Sequence, residues 1–218
     1  MLSLGNSEGT KGKNVEAEII VVRNKAEFDQ LPDHAVKGKI VFFNYAFNQK
    51  FISTGQAYGD ASMYRRSAAS WAGKKGAKAV IIRSLGLPED VHPHTGSMHY
   101  EDSVDRIPAG ALATMDANAL SAALKEGKVQ FIFEMDCRVF PDATSYNVIA
   151  EMRGSEKPEE IIVFGGHLDS WDAGEGAHDD GAGVIHEATP SMTRPITCRA
   201  SCSRSTSRRT RWSCSPPG

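Results

Sequence analysis

Acidic residues are absent after Glu187. All 27 Asp and Glu residues of this 218-residue chain lie before position 188, whereas six of its 25 Lys and Arg residues, all arginines, lie beyond it. The net charge of −2 therefore combines −8 in residues 1–187 with +6 in residues 188–218. The last segment also has few aliphatic residues, and it buries too little apolar surface to offset its ordering entropy. We therefore predict that residues 188–218 form a disordered tail.

Long apolar runs are missing as well. No stretch approaches the roughly 20 apolar residues that a membrane span needs, and residues 1–7 lack the basic and apolar regions of a signal peptide. The sequence therefore predicts no membrane partner. Cysteine is scarce: Cys137 is the one cysteine before residue 188, which excludes an intramolecular disulfide in that part.

The arginine-rich tail has two interpretations. An abrupt change to Arg, Ser, Cys and Pro directly after a well-formed motif is what translation of a GC-rich gene in a shifted reading frame produces. Alternatively the tail is genuine, and a basic segment can bind nucleic acid or an anionic membrane by releasing counterions. The tail has no lysine and no helical periodicity, so we favour the shifted frame and expect no nucleic-acid partner.

Predicted strands and helices alternate between residues 16 and 143. Apolar residues at helical spacing predict a helix over 61–75 that ends at Gly73 and Gly76. A second helix is predicted to be capped by Asp116 and to end at Gly127. Short β-branched and aromatic runs predict five strands, at 15–23, 39–44, 77–82, 107–112 and 129–135. This pattern predicts a mixed α/β (α+β) fold with its own core.

Metal-binding residue types follow a short apolar run. Ile161–Phe164 is β-branched and is followed by two glycines, which predicts a buried strand. His167 and Asp169 come next, and side chains two apart in an extended segment share a face, so the Asp169 carboxylate can hold the His167 imidazole in one tautomer. Asp179 lies in a glycine-rich turn and offers a carboxylate that could bridge two cations. The spacing indicates half of a two-metal site.

These motifs resemble the co-catalytic zinc peptidases, the family that includes aminopeptidases and glutamate carboxypeptidases. The resemblance extends over most of residues 1–187 and rests mainly on the segments 145–151, 154–159, 166–172 and 179–181. It implies that His167 binds one zinc ion and that Asp179 bridges two. It also implies that Asp169 is the catalytic residue behind His167, and that Asp180 lies beside the bridge and shapes the backbone.

The resemblance also implies a domain organisation. Residues 16–143 resemble the protease-associated domain that is inserted in the peptidase domain and borders its active site without being catalytic. Residues 1–15 would be a remnant of the peptidase domain, and residues 144–187 a further part of it. Members of the family continue with a Glu-Glu pair, another acidic ligand and a distant histidine, none of which can be placed here. We therefore expect a chain that is truncated at both ends and inactive by itself.

The predicted peptidase segment is expected to form a hairpin. Residues 145–152 and 159–164 would pair around a turn at 155–158. Two strands with no covering helix are marginally stable in water and leave an apolar edge exposed. We therefore expect this segment to aggregate readily.

For a complete member, the resemblance implies a zinc-dependent metallo-exopeptidase, a carboxypeptidase or dipeptidase, which hydrolyses small peptides with a water activated by two zinc ions. It further implies a secreted, periplasmic or lysosomal location and allows a homodimer. A different interpretation stays open, in which the protease-associated segment is a non-catalytic binding module for a protein or peptide.

Three loop histidines give a weaker metal signal. His92, His94 and His99 lie within eight residues, and imidazole is a common zinc ligand. Their spacing matches neither one face of a helix nor one face of a strand, so it would not direct them at one ion. We interpret them as ordinary loop residues.

Overall fold

The computed structural model describes residues 1–86, 89–138, 140–151, 153–171, 174–188 and 199–205. These residues form two compact units, of which the first spans residues 1–139 and the second begins at Phe140. Within the described ranges, no helix combines the length and the apolar character that crossing a membrane requires.

The first unit is built on a six-stranded sheet with the order β1-β5-β4-β3-β2-β6. Strands β2 to β5 are parallel, and the edge strands β1 and β6 are antiparallel to their neighbours. The strands are β1 (Leu2–Ser3), β2 (Val15–Val22), β3 (Ile40–Phe43), β4 (Ala79–Arg83), β5 (Ala109–Leu112) and β6 (Val129–Phe133). The five strands predicted from the sequence are thus confirmed, with differences of one or two residues at most ends.

Four helices cover the two faces of this sheet: α1 (Lys25–Gln30), α2 (Asp33–Val36), α3 (Thr54–Lys74) and α4 (Thr114–Glu126). Alternate residues of β3 enter different cores. Phe43 packs in the cluster that contains Tyr64 of α3, whereas Phe42 packs in the cluster that contains Ala117 of α4. Because both faces are covered, all four β3 residues are buried, which explains its unbroken apolar sequence.

Helix α3 begins seven residues before the predicted start at residue 61. Its first turns carry mostly exposed residues, so apolar periodicity marks only the part of the helix that meets the core. The predicted cap of α4 is wrong. Asp116 lies in the first turn, and Ala113 is the N-cap without a side-chain hydrogen bond. The main chain supplies the partner instead, since Met115 N–H donates to the Asp90 carbonyl at 3.1 Å.

Residues 1–15 lie in the same unit as this sheet. Ser3 of β1 pairs with Gly110 of β5, Leu4 is buried in the core, and Thr10 N–H donates to the Met135 carbonyl at 2.9 Å. The assignment of residues 1–15 to a remnant of the peptidase domain, which the resemblance implies, stays a prediction.

The second unit contains a two-stranded antiparallel sheet of β7 (Ser145–Glu151) and β8 (Arg199–Ser205). An irregular turn at Ala177–Ala182, in which Asp179 and Asp180 have non-helical backbone angles, and helix α5 (Gly183–Ala188) follow the segment that contains His167 and Asp169. The predicted buried strand at Ile161–Phe164 is wrong. These four residues are not in a strand, and their side chains are 70–87% exposed. A buried strand needs neighbours on its edges and faces, and the described residues provide none there.

Strand β7 pairs with β8 rather than with residues 159–164, so the predicted hairpin is also wrong. Strand β8 lies within the segment predicted to be disordered. That prediction counted apolar side chains, whereas strand pairing satisfies backbone N–H and C=O groups with any side chains. Residues 189–198 and 206–218 of the predicted tail lie outside the described residues.

Candidate metal centre

His167 and Asp179 face each other in the second unit. The Nε2 atom of His167 lies 2.9 Å from Oδ1 of Asp179, and both side chains are accessible to solvent, with exposures of 51% and 84%. His167 follows a segment without regular secondary structure that ends at Gly166, and Asp179 lies within the turn before α5. The structure therefore brings together the two predicted metal ligands, which are twelve residues apart in sequence.

The other ring nitrogen of His167 determines the state of this pair. Its Nδ1 atom lies 2.8 Å from the main-chain carbonyl oxygen of Asp169, and a carbonyl oxygen can only accept a hydrogen bond. Nδ1 therefore carries a proton. Nε2 then faces a carboxylate, so it either carries a second proton or shares a cation with Asp179.

These hydrogen bonds raise the pKa of His167. The first cause is the bond to the Asp169 main chain, and the second is the bond to the Asp179 side chain. Both partners are acceptors that stabilise a positive charge on the ring. The same arrangement would stabilise a metal ion bound at Nε2, because an oxygen acceptor on Nδ1 orients a metal-binding imidazole.

The main-chain carbonyl of Asp169, rather than its carboxylate, holds the His167 imidazole. The carboxylate Oδ1 atom lies 3.6 Å from His167 Nδ1, beyond hydrogen-bonding distance. An extended backbone would place the carboxylate on the same face as the imidazole, but the chain bends at Leu168 and the main-chain carbonyl of Asp169 contacts Nδ1 instead. Asp169 thus selects the predicted tautomer through its main chain.

The Asp180 side chain contacts both segments of the site. Its Oδ2 atom accepts a hydrogen bond from the His167 main-chain N–H at 3.2 Å. A Cβ atom at Gly166 would lie 2.9 Å from Asp180 Oδ2, and one at Gly183 would lie 2.1 Å from Oδ1. Only glycine leaves room for the Asp180 carboxylate there. The peptide bond between Asp179 and Asp180 is cis.

The donor set matches part of a zinc site. Imidazole nitrogen and carboxylate oxygen are both ordinary zinc ligands, and a catalytic site has three protein ligands. No group of three or more His, Cys, Asp or Glu side chains suited to one ion occurs within the part of the chain that the structure describes. His178 is exposed, and the side chain of His186 lies outside the described residues.

The loop histidines are organised by Asp90. His92 Nδ1 lies 3.0 Å from Asp90 Oδ1, and His94 Nε2 lies 3.1 Å from Asp90 Oδ2. The His92 main-chain N–H also donates to Asp90 Oδ1, and this bond is the first cause that lowers the pKa of Asp90, to about 2. His99 is held elsewhere, with its N–H donating to the Arg66 carbonyl. Sequence reasoning missed Asp90, although an Asp side chain often accepts a hydrogen bond from the main-chain N–H two residues on, in an Asx-turn.

Known proteins resemble this chain in sequence. The sequence model of peptidase family M28 matches residues 147–187, the range that contains His167, Asp169 and Asp179. Carboxypeptidase Q of Xenopus laevis is 42% identical over 186 residues, and that of Homo sapiens is 39% identical over 188 residues. Each match covers 85% of this chain but 38% of the relative, so the chain spans less than half the length of these relatives.

A solved structure agrees with these matches. The peptidase M28 precursor from Shewanella amazonensis SB2B is 31% identical, with a TM-score of 0.66, and the match covers 83% of this chain and 41% of that protein. It confirms the predicted mixed α/β fold class. The family range and the relatives together confirm the resemblance drawn from the motifs around His167 and Asp179. The chain is therefore similar to carboxypeptidase Q over 85% of its length, and its residues 147–187 match the sequence model of peptidase family M28.

Proposed function

We propose that this chain carries part of the active site of a zinc-dependent metallo-exopeptidase, a carboxypeptidase or dipeptidase that hydrolyses small peptides. The contact between His167 Nε2 and Asp179 Oδ1 supports the proposal most directly. With the Nδ1 proton directed at a carbonyl, a neutral ring would direct the Nε2 lone pair toward a carboxylate, and the two groups would together hold a divalent cation. The name carboxypeptidase Q, borne by the relatives, supports an exopeptidase.

Each residue has a separate task in this proposal. His167 and Asp179 would hold zinc, and Asp179 would extend to a second ion. Bound zinc polarises a peptide carbonyl and lowers the pKa of a coordinated water. The Asp169 carbonyl keeps the proton on Nδ1, and the Asp180 carboxylate holds the main chain of His167 beside the turn.

The proposal extends to what the chain does by itself. The described residues supply two donors, fewer than a catalytic zinc site uses, so we expect little or no peptidase activity from this chain. We also propose a secreted, periplasmic or lysosomal location, a small peptide as substrate and a homodimer as the assembled form. These statements rest on the likeness to the zinc peptidases.

Zinc titration by calorimetry tests the central claim. We expect the chain to bind zinc, and His167→Ala and Asp179→Asn to weaken binding by more than about tenfold, because both are proposed ligands. The matched control is His178→Ala, which removes an exposed imidazole next to Asp179. Equal affinities of all four proteins, or no binding by the parent chain, would refute the proposal.

A second candidate function is favoured by the construction of the first unit. It has a six-stranded sheet and two core clusters of its own, as a self-standing binding module requires. Such a module would recognise a protein or peptide without catalysis. If residues 1–138 alone kept a partner that the full chain binds, the module would be supported over the peptidase.

A further inference from the structure

A polar cluster lies at the carboxyl edge of the parallel strands in the first unit. Asn44 follows β3, Arg83 ends β4, and Asn118 and Ser121 face them from α4. Arg83 Nη1 donates to Asn118 Oδ1 at 2.7 Å and to Asn44 Oδ1 at 3.4 Å, and Asn44 Nδ2 donates to Ser121 Oγ at 2.9 Å. We call these four residues the Arg83 cluster. In open α/β sheets, ligands bind outside the carboxyl ends of the strands.

The charge of Arg83 is poorly compensated. Among the described residues, no carboxylate lies within 4.0 Å of its guanidinium, and its two acceptors are neutral amide oxygens. Partial burial lowers the pKa of Arg83, although a guanidinium stays protonated in proteins. Lys39 in the same sheet shows the usual arrangement, because this half-buried cation pairs with Glu18 at 3.1 Å.

Donors remain available at this cation. The hydrogen bonds that the Arg83 side chain makes to described residues use Nη1 alone, whereas a guanidinium has five N–H groups arranged as a fork that fits two carboxylate oxygens. The Ser121 hydroxyl can add a further donor. We propose that the Arg83 cluster binds a carboxylate, supplied either by a free amino acid or small peptide or by an acidic side chain of a second copy of this chain.

Glu89 acts as an internal competitor of that ligand. Asn118 Nδ2 donates to Glu89 Oε1 at 3.5 Å, and the negative charge of Glu89 raises the pKa of Arg83. Glu89 is exposed, and this bond is long, so a carboxylate that lies closer to Arg83 can take the place of Glu89 as its counter-charge. Removing the charge of Glu89 should therefore strengthen carboxylate binding.

This inference is independent of the zinc chemistry, because every residue of the Arg83 cluster lies in the first unit. Its test is a ¹⁵N NMR titration of the full chain with sodium acetate, with sodium chloride at equal ionic strength as the reference. We expect saturable shifts at the amides of Arg83 and Asn118. Arg83→Gln should weaken binding by about tenfold or more, as expected for the loss of a charge-assisted pair, and Glu89→Gln should strengthen it.

Two variants keep the test decisive. Arg83→Lys retains the charge and should keep weaker binding, which separates lost recognition from lost folding. Arg23→Gln removes an exposed arginine outside the cluster and should leave the acetate affinity unchanged. Acetate shifts that never saturate, or affinities that are equal in the parent chain and Arg83→Gln, would overturn the proposal.

Sedimentation velocity then identifies the source of the carboxylate. A dimer that dissociates in Arg83→Gln and on addition of acetate supports the acidic side chain of a second copy. A monomer that still binds acetate supports a free amino acid or peptide. Titration with glycylglycine and with its C-terminal amide sharpens the second case, since only the free carboxylate should compete with acetate.

Discussion

The two units use similar apolar segments in opposite ways. In the first, the β3 sequence Ile40–Phe43 lies between two parallel neighbours and is completely buried. In the second, Ile161–Phe164 has the same kind of residues, yet its side chains are largely exposed. A β-branched and aromatic run therefore becomes a core strand only where neighbouring strands and covering helices are available. The sequence of the run does not supply them.

Truncating one phenylalanine in each unit should give the largest difference. Phe43→Ala removes a fully buried ring that packs against Phe28 and Tyr64, and it should lower the free energy of unfolding by about 3–5 kcal/mol. Phe164→Ala removes a side chain that is 70% exposed and should change it by less than about 0.5 kcal/mol. Urea denaturation followed by tryptophan fluorescence measures both, because Trp71 lies in the first unit and Trp171 in the second. A large loss in Phe164→Ala would show that this segment is buried in solution.

Sequence reasoning worked where local pattern and environment agree. The strands β3, β4 and β5 were predictable because their apolar runs are buried in the sheet. The partly exposed strands β2 and β6 were predictable from their β-branched and aromatic residues, and the buried half of α3 from the spacing of Tyr64, Ala68 and Ala72. Helix α1 was missed because it is six residues long with one buried residue, Phe28. Its signal was Asn24, whose side chain accepts from Glu27 N–H at 2.8 Å as a helix N-cap.

Which residues meet at the candidate metal centre was predictable from the sequence, but their geometry was not. The types and spacing of His167 and Asp179 indicated ligands that the structure then places 2.9 Å apart. Which oxygen of Asp169 reaches the imidazole depends on backbone angles, and sequence pattern does not contain them. The Arg83 cluster was invisible for a related reason. Its members lie on three separate elements, and only the sheet order brings Asn44 beside Arg83.

A methyl group placed against the Asp180 carboxylate should lower the zinc affinity by a smaller amount. In Gly183→Ala, the new methyl group would lie 2.1 Å from Asp180 Oδ1, so the carboxylate must move and release the His167 main chain. We expect zinc affinity to fall by about tenfold, as for other residues that orient ligands. Gly165→Ala is the control, because a Cβ there meets no atom within 4 Å. Equal zinc affinities of the two variants in calorimetric titration would contradict the claim that Asp180 positions His167.

The charge state of His167 should make the stability of the second unit and its zinc affinity depend on pH. Its pKa is raised above 6.5 by the Asp169 carbonyl and Asp179, so the stabilisation from these bonds is present in full below pH 6.5. It is lost as the pH rises through the raised pKa. Zinc binding should show the opposite trend, since a protonated Nε2 cannot coordinate. NMR titration should show a higher pKa for His167 than for the same residue in Asp179→Asn. An unchanged value in that variant would mean that the contact is absent in solution.

Removing the second unit should have the smallest effect on the first. Residues 1–138 contain both core clusters. Near their two ends, the main-chain N–H and the hydroxyl of Thr10 donate to the Met135 carbonyl, and the Met135 main-chain N–H donates to the Thr10 hydroxyl. Domains with their own core generally fold alone, so we expect the shortened chain to unfold cooperatively. Its free energy of unfolding should lie within about 1 kcal/mol of the value for the first unit in the full chain. Thr10→Val in the shortened chain is the matched test of the closing contact, because it removes the hydroxyl that bonds Met135 while keeping the size of the side chain. Loss of cooperative unfolding in the shortened chain would mean that the sheet depends on residues beyond 138. The first unit would then not fold by itself.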